Sequence, residues 1–265
     1  MFWHGQGIKS LSKGLGADVP REVWHEIECG YYAADLQLWK ELSHEGSSVL
    51  DLGCGNGRVT MHLARAGRRV TGLDRDERFL EVLETRAAER GLTVDTVCAD
   101  ARDFDLGAQF DAVFAPMQLV QLFNGAAERK AMLARAARHL RPGGVFAATL
   151  MNLEGELVGD EYGPPPPDVR EVNQWVYSSQ SVAADLVKGG RAMQIARLRI
   201  AVSPEGKQYP TVDEVRLELV SPALLEQEAT GAGLDIQDRR KISPTEHVGS
   251  VVVIARRPPW HPCSC

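Results

Sequence analysis

Between Ser48 and Leu150 the hydrophobic pattern changes period repeatedly, and few folds accept that. Ser48 to Leu52 reads as a strand, Gly57 to Ala66 as a helix, Arg69 to Leu73 as a strand and Glu77 to Arg90 as a helix. Strand-like Thr93 to Cys98 and Phe110 to Ala115 follow, then a helix from Ala126 to Leu140, a turn at Arg141-Pro142-Gly143-Gly144 and a strand from Val145 to Leu150. Such alternation dictates βαβ units with right-handed crossovers and a parallel sheet. A chain of 265 residues is long enough for one large α/β domain carrying an inserted piece.

The flanks behave differently. Met1 to Gly16 shows little periodicity, whereas apolar residues from Val23 to Leu42 recur at helical spacing behind Pro20, predicting one or two helices. After Asn152 the rhythm breaks at the prolines 164 to 167. Four β-rich stretches follow, Val172 to Tyr177, Val182 to Val187, Ala192 to Val202 and Val212 to Val220, with a turn at Lys188-Gly189-Gly190. These are expected to form an antiparallel insertion packed against the sheet as a lid on the acceptor side. Ser221-Pro222 starts a helix that Gly233 ends, and Leu234 to Ile242 and Val248 to Ala255 read as closing strands. The expected division is a helical segment 1–45, a nucleotide-type domain 46–152 and 221–257, the insertion 153–220, and a flexible tail 258–265.

The richest segment is Val49-Leu50-Asp51-Leu52-Gly53-Cys54-Gly55-Asn56-Gly57-Arg58-Val59-Thr60. A strand ends in Asp51, and the chain turns through three alternating glycines into a helix, letting backbone approach a ligand closely. Twenty-one positions after Gly53 the second strand ends in Asp74, an acid placed to accept from a ribose diol. Together they predict a nucleoside-containing ligand. Asp51 lies where a dinucleotide would bring its pyrophosphate, and a carboxylate there opposes that charge.

With these residues in place, the chain resembles the class I S-adenosylmethionine-dependent methyltransferases over about Tyr31 to Leu150 and Ser221 to Arg257. Asp51 to Gly57 looks like the family's first motif, implying that Asp51, Gly53, Cys54, Gly55, Asn56 and Gly57 cradle the methionine part. Asp74, with Arg75 beside it, matches the ribose-binding acid. Cys98-Ala99-Asp100-Ala101 resembles the third motif, with Asp100 near the adenine amine and Ala101 near the ring. Phe110 to Pro116 is similar to the fourth strand, whose exit at Pro116 lies beside the transferred methyl. The resemblance implies a Rossmann-like, seven-stranded, mostly parallel sheet with its last strand antiparallel, and S-adenosyl-L-methionine, whose ammonium and sulfonium suit Asp51, as cofactor.

It also implies methyl transfer by in-line displacement to an oxygen, nitrogen or carbon nucleophile of a small molecule. The alternatives are a protein or peptide acceptor, or a cofactor-binding protein that does not methylate. Candidate acceptor-side residues are Gln118, with Gln121 behind it, Tyr31 or Tyr32 from the leading helix, and His247 before the last strand. Many relatives carry a histidine after strand four where this chain has Leu122, and Ala115-Pro116-Met117-Gln118 lacks the pattern of adenine and glutamine amino-methyltransferases. Trp175, Tyr177 and Met193 suit either packing or a hydrophobic acceptor. Arg191, Arg197 and Arg199 read as a solvated strand face, or, turned inward, as a site for an acidic acceptor.

A net charge of -6 opposes nucleic-acid binding. No apolar run approaches the roughly 18 residues of a membrane span, and no secretion signal is evident, so a cytoplasmic protein without membrane partners is expected. Five cysteines lack disulfide spacing. The end, Trp260 to Cys265, offers only His261, Cys263 and Cys265 on a tail, so no metal is expected. A homodimer is left open.

Overall fold

The computed structural model describes residues 19–151, 165–245 and 248–259. The chain runs from α1 (Arg21–His25) and a π-helical turn (Glu26–Gly30) through α2 (Leu36–Glu41) into β1 (Ser48–Leu52), α3 (Arg58–Arg65), β2 (Arg69–Asp74), α4 (Glu77–Glu89) and β3 (Asp95–Cys98). There follow β4 (Phe110–Ala115), α5 (Leu119–Leu122), α6 (Ala126–His139) and β5 (Leu140–Met151). Next come β6 (Asp168–Val172), β7 (Trp175–Val187), β8 (Ala192–Val202) and β9 (Gln208–Glu218). The chain closes with α7 (Pro222–Gly231), β10 (Asp235–Ile236), β11 (Arg240–Ile242) and β12 (Ser250–Arg256). Met1 to Gly16, the start of the proline run, His247 and the tail from Trp260 lie outside the described residues.

One compact unit holds described residues 33–151, 220–243 and 249–259. Its sheet has the order β10-β12-β5-β4-β1-β2-β3, parallel from β5 to β3, with β12 antiparallel to β5. The expected seven positions are present. The sheet has eight strands because the stretch expected as one strand, Leu234 to Ile242, is interrupted, leaving β10 and β11 both antiparallel on β12. Both faces are covered, so β1 reads as a continuous apolar run. Leu50 and Leu52 join a core with Met132 and Leu133 of α6 and Leu225 and Ala229 of α7. Val49 faces the other side, with Trp39 of α2 and Val59 and Leu63 of α3.

One local expectation changes and another holds. The turn Arg141 to Gly144 is absorbed into β5 as a wide bulge, since Phe110 pairs with Leu140 but Ala112 already pairs with Val145. Gly144 permits it: a Cβ there would stand 2.9 Å from Arg141 O and 3.1 Å from Asp111 O. Helix α7 begins as predicted, Ser221 Oγ accepting from Leu224 N at 3.2 Å with Pro222 in the first turn.

The other unit holds described residues 19–32, 165–219, 244–245 and 248, so the leading helical stretch up to Tyr32 groups with the insertion. Its antiparallel sheet has the order β6-β7-β8-β9. The stretch expected as a strand from Val172 to Tyr177 straddles a reversal, because Asn173 and Gln174 adopt φ of 51° and 67° and close the β6–β7 hairpin. The Lys188-Gly189-Gly190 turn forms as expected. Trp24 and Ile27 pack with Ala201, Trp175, Tyr177 and Tyr209 in a core of this unit's own.

Candidate functional site

The carboxyl ends of β1 and β2 carry the glycine loop. Gly53, Gly55 and Gly57 all have positive φ, of 65°, 51° and 85°. At Gly57 a Cβ would fall 2.2 Å from Leu83 Cδ1, so that buried side chain would have to shift, and at Gly53 it would meet Leu119 Cδ1 at 2.9 Å. The loop is braced rather than open. Cys54 N donates to Leu73 O at 3.0 Å, Gly55 N to Asp74 Oδ2 at 2.9 Å, and Gly57 N to Cys54 O at 2.9 Å. Three amides that would form an anion nest are therefore spent inside the protein, which disfavours a pyrophosphate.

Asp51 is 1% exposed. Its Oδ2 accepts from Thr60 Oγ1 at 2.7 Å, and its Oδ1 has no hydrogen-bond partner among the described residues. Burial raises its pKa to about 7, against the lowering influence of the Thr60 hydrogen bond and of Arg58. A buried carboxylate with one bare oxygen, beside a loop unsuited to phosphate, fits a cationic ligand end, and the two acids at adjacent strand ends fit a nucleoside carrying it. Asp74 has acceptor capacity that a ribose could use, since Oδ1 accepts from Asp76 N at 3.0 Å and Oδ2 from Gly55 N at 2.9 Å, and each oxygen has a second lone pair.

Asp100 forms a fork with Arg102, through Nε at 2.9 Å and Nη2 at 2.5 Å, and accepts from Arg102 N at 2.8 Å. That hydrogen bonding from Arg102 holds its carboxyl at about 2. Asp100 is thus an ionised acceptor whose free lone pairs alone could meet an adenine amine. Ala101 is buried beside it, and the Arg75 carbonyl accepts weakly from Cys98 Sγ at 3.7 Å. Burial pushes the Cys54 thiol well above its ordinary pKa, so it packs with Met61, Leu80 and Leu83 and is no nucleophile.

At the exit of β4, Pro116 is buried and Met117 adopts φ 54°, a left-handed conformation unusual for this residue type. Gln118 occupies the N-cap of α5 but does not cap it with its side chain. Gln121 turns out to be structural: it is buried, and its Oε1 accepts from Met151 N at 2.7 Å, tying α5 to the end of β5.

The remaining candidates belong to the other unit. Tyr31 and Tyr32 lie just past the π-helical turn and not within a helix, and the Arg170 guanidinium stands 4.2 Å over the Tyr31 ring. His247 is outside the described residues. Arg197 and Arg199 are not a solvated face, because Glu28 of the π-helical turn draws them in: Arg199 Nε and Nη2 reach its carboxylate at 2.6 and 2.9 Å. Ser179 Oγ donates to the same carboxylate at 2.7 Å. Burial pushes the Glu28 pKa up, but Arg199, Arg197 and Ser179 outweigh it and the net shift is down. The aromatic residues pack together, Trp24 meeting Tyr177 edge-on at 5.5 Å.

Sequence reasoning missed Asp35, Arg58 and Thr60. Thr60 carried a signal, because it follows Gly57 at helical spacing and so returns toward the end of β1. Asp35 carried none.

The fold and the braced loop define a doubly wound α/β domain whose two acids at adjacent strand ends have the chemistry to hold a nucleoside. Residues 49–144 match the family of methyltransferase domains. The chain thus carries a methyltransferase domain over those residues. A cypemycin N-terminal methyltransferase from Streptomyces sp is 39% identical over 114 residues, 42% of this chain and 45% of that protein. A ubiquinone biosynthesis O-methyltransferase from Paramagnetospirillum magneticum is 31% identical over 159 residues, 57% of this chain and 62% of that protein. The chain therefore spans about half to three-fifths of the length of these relatives. A solved amino pentose methyltransferase from Micromonospora echinaspora shares the fold at a TM-score of 0.70 and 20% identity, covering 92% of this chain and 100% of that one. No helix among the described residues is long and apolar enough to cross a membrane, and none of their acidic, histidine and cysteine side chains gather into a metal-binding group.

Proposed function

We propose that this protein transfers a methyl group from S-adenosylmethionine to an oxygen or nitrogen of a small molecule. The observation that carries the reading is Asp51, buried with one oxygen unpartnered among the described residues, beside a glycine loop in which the Cys54, Gly55 and Gly57 amides are already spent. When bound, the cofactor supplies a methyl group already activated by its positive sulfur, so the chain's task is alignment and exclusion of water. In this reading the loop from Gly53 to Gly57 and Asp51 hold the methionine end, Asp74 fixes the ribose, and Asp100 and Ala101 receive the adenine. Pro116 and Gln118 border the reacting centre, with the Gln118 amide orienting a polar acceptor. The names of the matched relatives, one an O-methyltransferase and one an N-terminal methyltransferase, support oxygen or nitrogen as the nucleophile. The second of these names keeps a peptide amine as an alternative acceptor.

The test is incubation with methyl-tritiated cofactor and three acceptor pools: a bacterial metabolite extract, a pool of unprotected peptides, and total RNA. Label is expected in the metabolite fraction. Label confined to peptides moves the assignment to the alternative, and tight cofactor binding without label in any pool overturns methyl transfer.

A further inference from the structure

Arg58 follows directly on the glycine loop and is a cation close to Asp51, but its guanidinium is committed elsewhere. Nη1 and Nη2 meet the two oxygens of Asp35 at 2.5 and 2.8 Å, and Asp35 is fully buried while also accepting from Trp39 Nε1 at 2.9 Å. Among the described residues, Asp51 is left with Thr60 on one oxygen and no hydrogen-bond partner on the other. Its neighbours across the sheet, Gly72 on β2 and Phe114 on β4, bring no charge. Among the described residues, the charged or titratable groups that face it are Arg58 from α3, already neutralised by Asp35, Asp74 at the end of β2, and the Cys54 thiol in the loop. A bare, buried carboxylate in such surroundings holds a proton until a cation replaces it.

Building on the cofactor assignment, we propose that Asp51 is a proton-exchange site: the empty protein carries a proton on Oδ1, and the ammonium of the ligand's methionine end displaces it to solvent on binding. The balance is one proton lost from the carboxyl and one ammonium gained as its counter-charge, with no covalent change. Cofactor affinity is then pH-gated. The folded pKa of about 7 sets the gate, since the carboxyl is protonated below it and already ionised above it.

Isothermal titration calorimetry with S-adenosylhomocysteine, in phosphate and in imidazole buffer between pH 6 and 7.5, reads the exchange directly. Proton release of roughly half or more per site is expected near pH 6.5, with affinity rising about fivefold across the interval, as a shift of one to three units in a carboxyl beside a cation requires. 5′-Methylthioadenosine, which keeps the adenosine and thioether but lacks the amino-acid end, should bind without release. Asp51→Asn should bind the homocysteine ligand with no buffer-dependent heat. Tight binding of S-adenosylhomocysteine with identical heats in both buffers overturns the exchange and leaves the cofactor assignment standing. Failure of S-adenosylhomocysteine and S-adenosylmethionine to bind at any pH removes both. The wild-type measurement stands even if Asp51→Asn does not fold.

Discussion

The guanidinium of Arg58 and the carboxylate of Asp35 form a two-pronged pair, 2.5 and 2.8 Å, with side chains 8% and 0% exposed. The pair joins the first residue of α3 to the residue preceding α2, and so fixes the helix that leaves the glycine loop. Removing one partner of a buried pair strands the other charge, at a cost of about 3–5 kcal/mol. Asp35→Asn is expected to lose about that much stability in urea unfolding. Part of the loss should be recovered in Asp35→Asn with Arg58→Met, where no stranded cation remains.

Asp51 makes the opposite contribution. Its folded pKa of about 7 lies above its ordinary 3.8, so the folded state keeps a proton that the unfolded chain gives up between those values. Stability in the absence of ligand therefore falls as pH rises from about 4 to 7 and is level above. Asp51→Asn removes that cost and should raise the thermal midpoint of the ligand-free protein at pH 8, with the difference vanishing near pH 4. A midpoint lowered equally at both pH values would show that the carboxyl does not carry this burden.

The sheet was legible because β1, β2, β4 and β5 are buried on both faces and each reads as an apolar run ending at a turn. The same logic located Asp51 and Asp74, since an acid at the end of such a run has only the sheet's carboxyl edge to occupy. It failed where partners come from distant sequence. Nothing local told that Glu28 would draw Arg197 and Arg199 from a solvated face, or that Gln121 would be consumed by Met151 N. The hairpin at Asn173-Gln174 was misplaced because neither residue is glycine, although both adopt positive φ. The division of the chain was equally hidden, for residues up to 32 group with the insertion through aromatic contacts of Trp24 that no periodicity reveals.

Asp74 has two tasks that one substitution separates. Its carboxylate braces Gly55 N and Asp76 N, and in the proposed site it also accepts from the ribose. Asp74→Ala should weaken S-adenosylhomocysteine binding about 10- to 100-fold, the worth of hydrogen bonds to a charged acceptor. Asp74→Asn retains one acceptor oxygen and should lose less. Calorimetry that finds Asp74→Ala unchanged in affinity rejects the ribose assignment.

Met117 has the remaining outlier backbone. Asn173, Gln174 and Lys188 also have positive φ, but they sit in hairpin turns where that geometry is ordinary, whereas Met117 links β4 to α5 at the sheet's carboxyl edge. An ordinary residue there costs about 1–2 kcal/mol, a β-branched one more, and asparagine less. Met117→Ile is therefore expected to lose about 2 kcal/mol in urea unfolding, while Met117→Asn stays within about 1 kcal/mol of the parent, because the side chain is only partly buried. The turn also sets the direction in which Gln118 leaves the sheet. Met117→Gly, free to abandon the left-handed conformation, should fold and bind S-adenosylhomocysteine within about threefold of the parent, a loss of well under 1.4 kcal/mol. Yet it should incorporate label from methyl-tritiated cofactor more slowly. Equal incorporation in Met117→Gly and the parent would reduce the strained turn to a chain reversal with no part in placing Gln118.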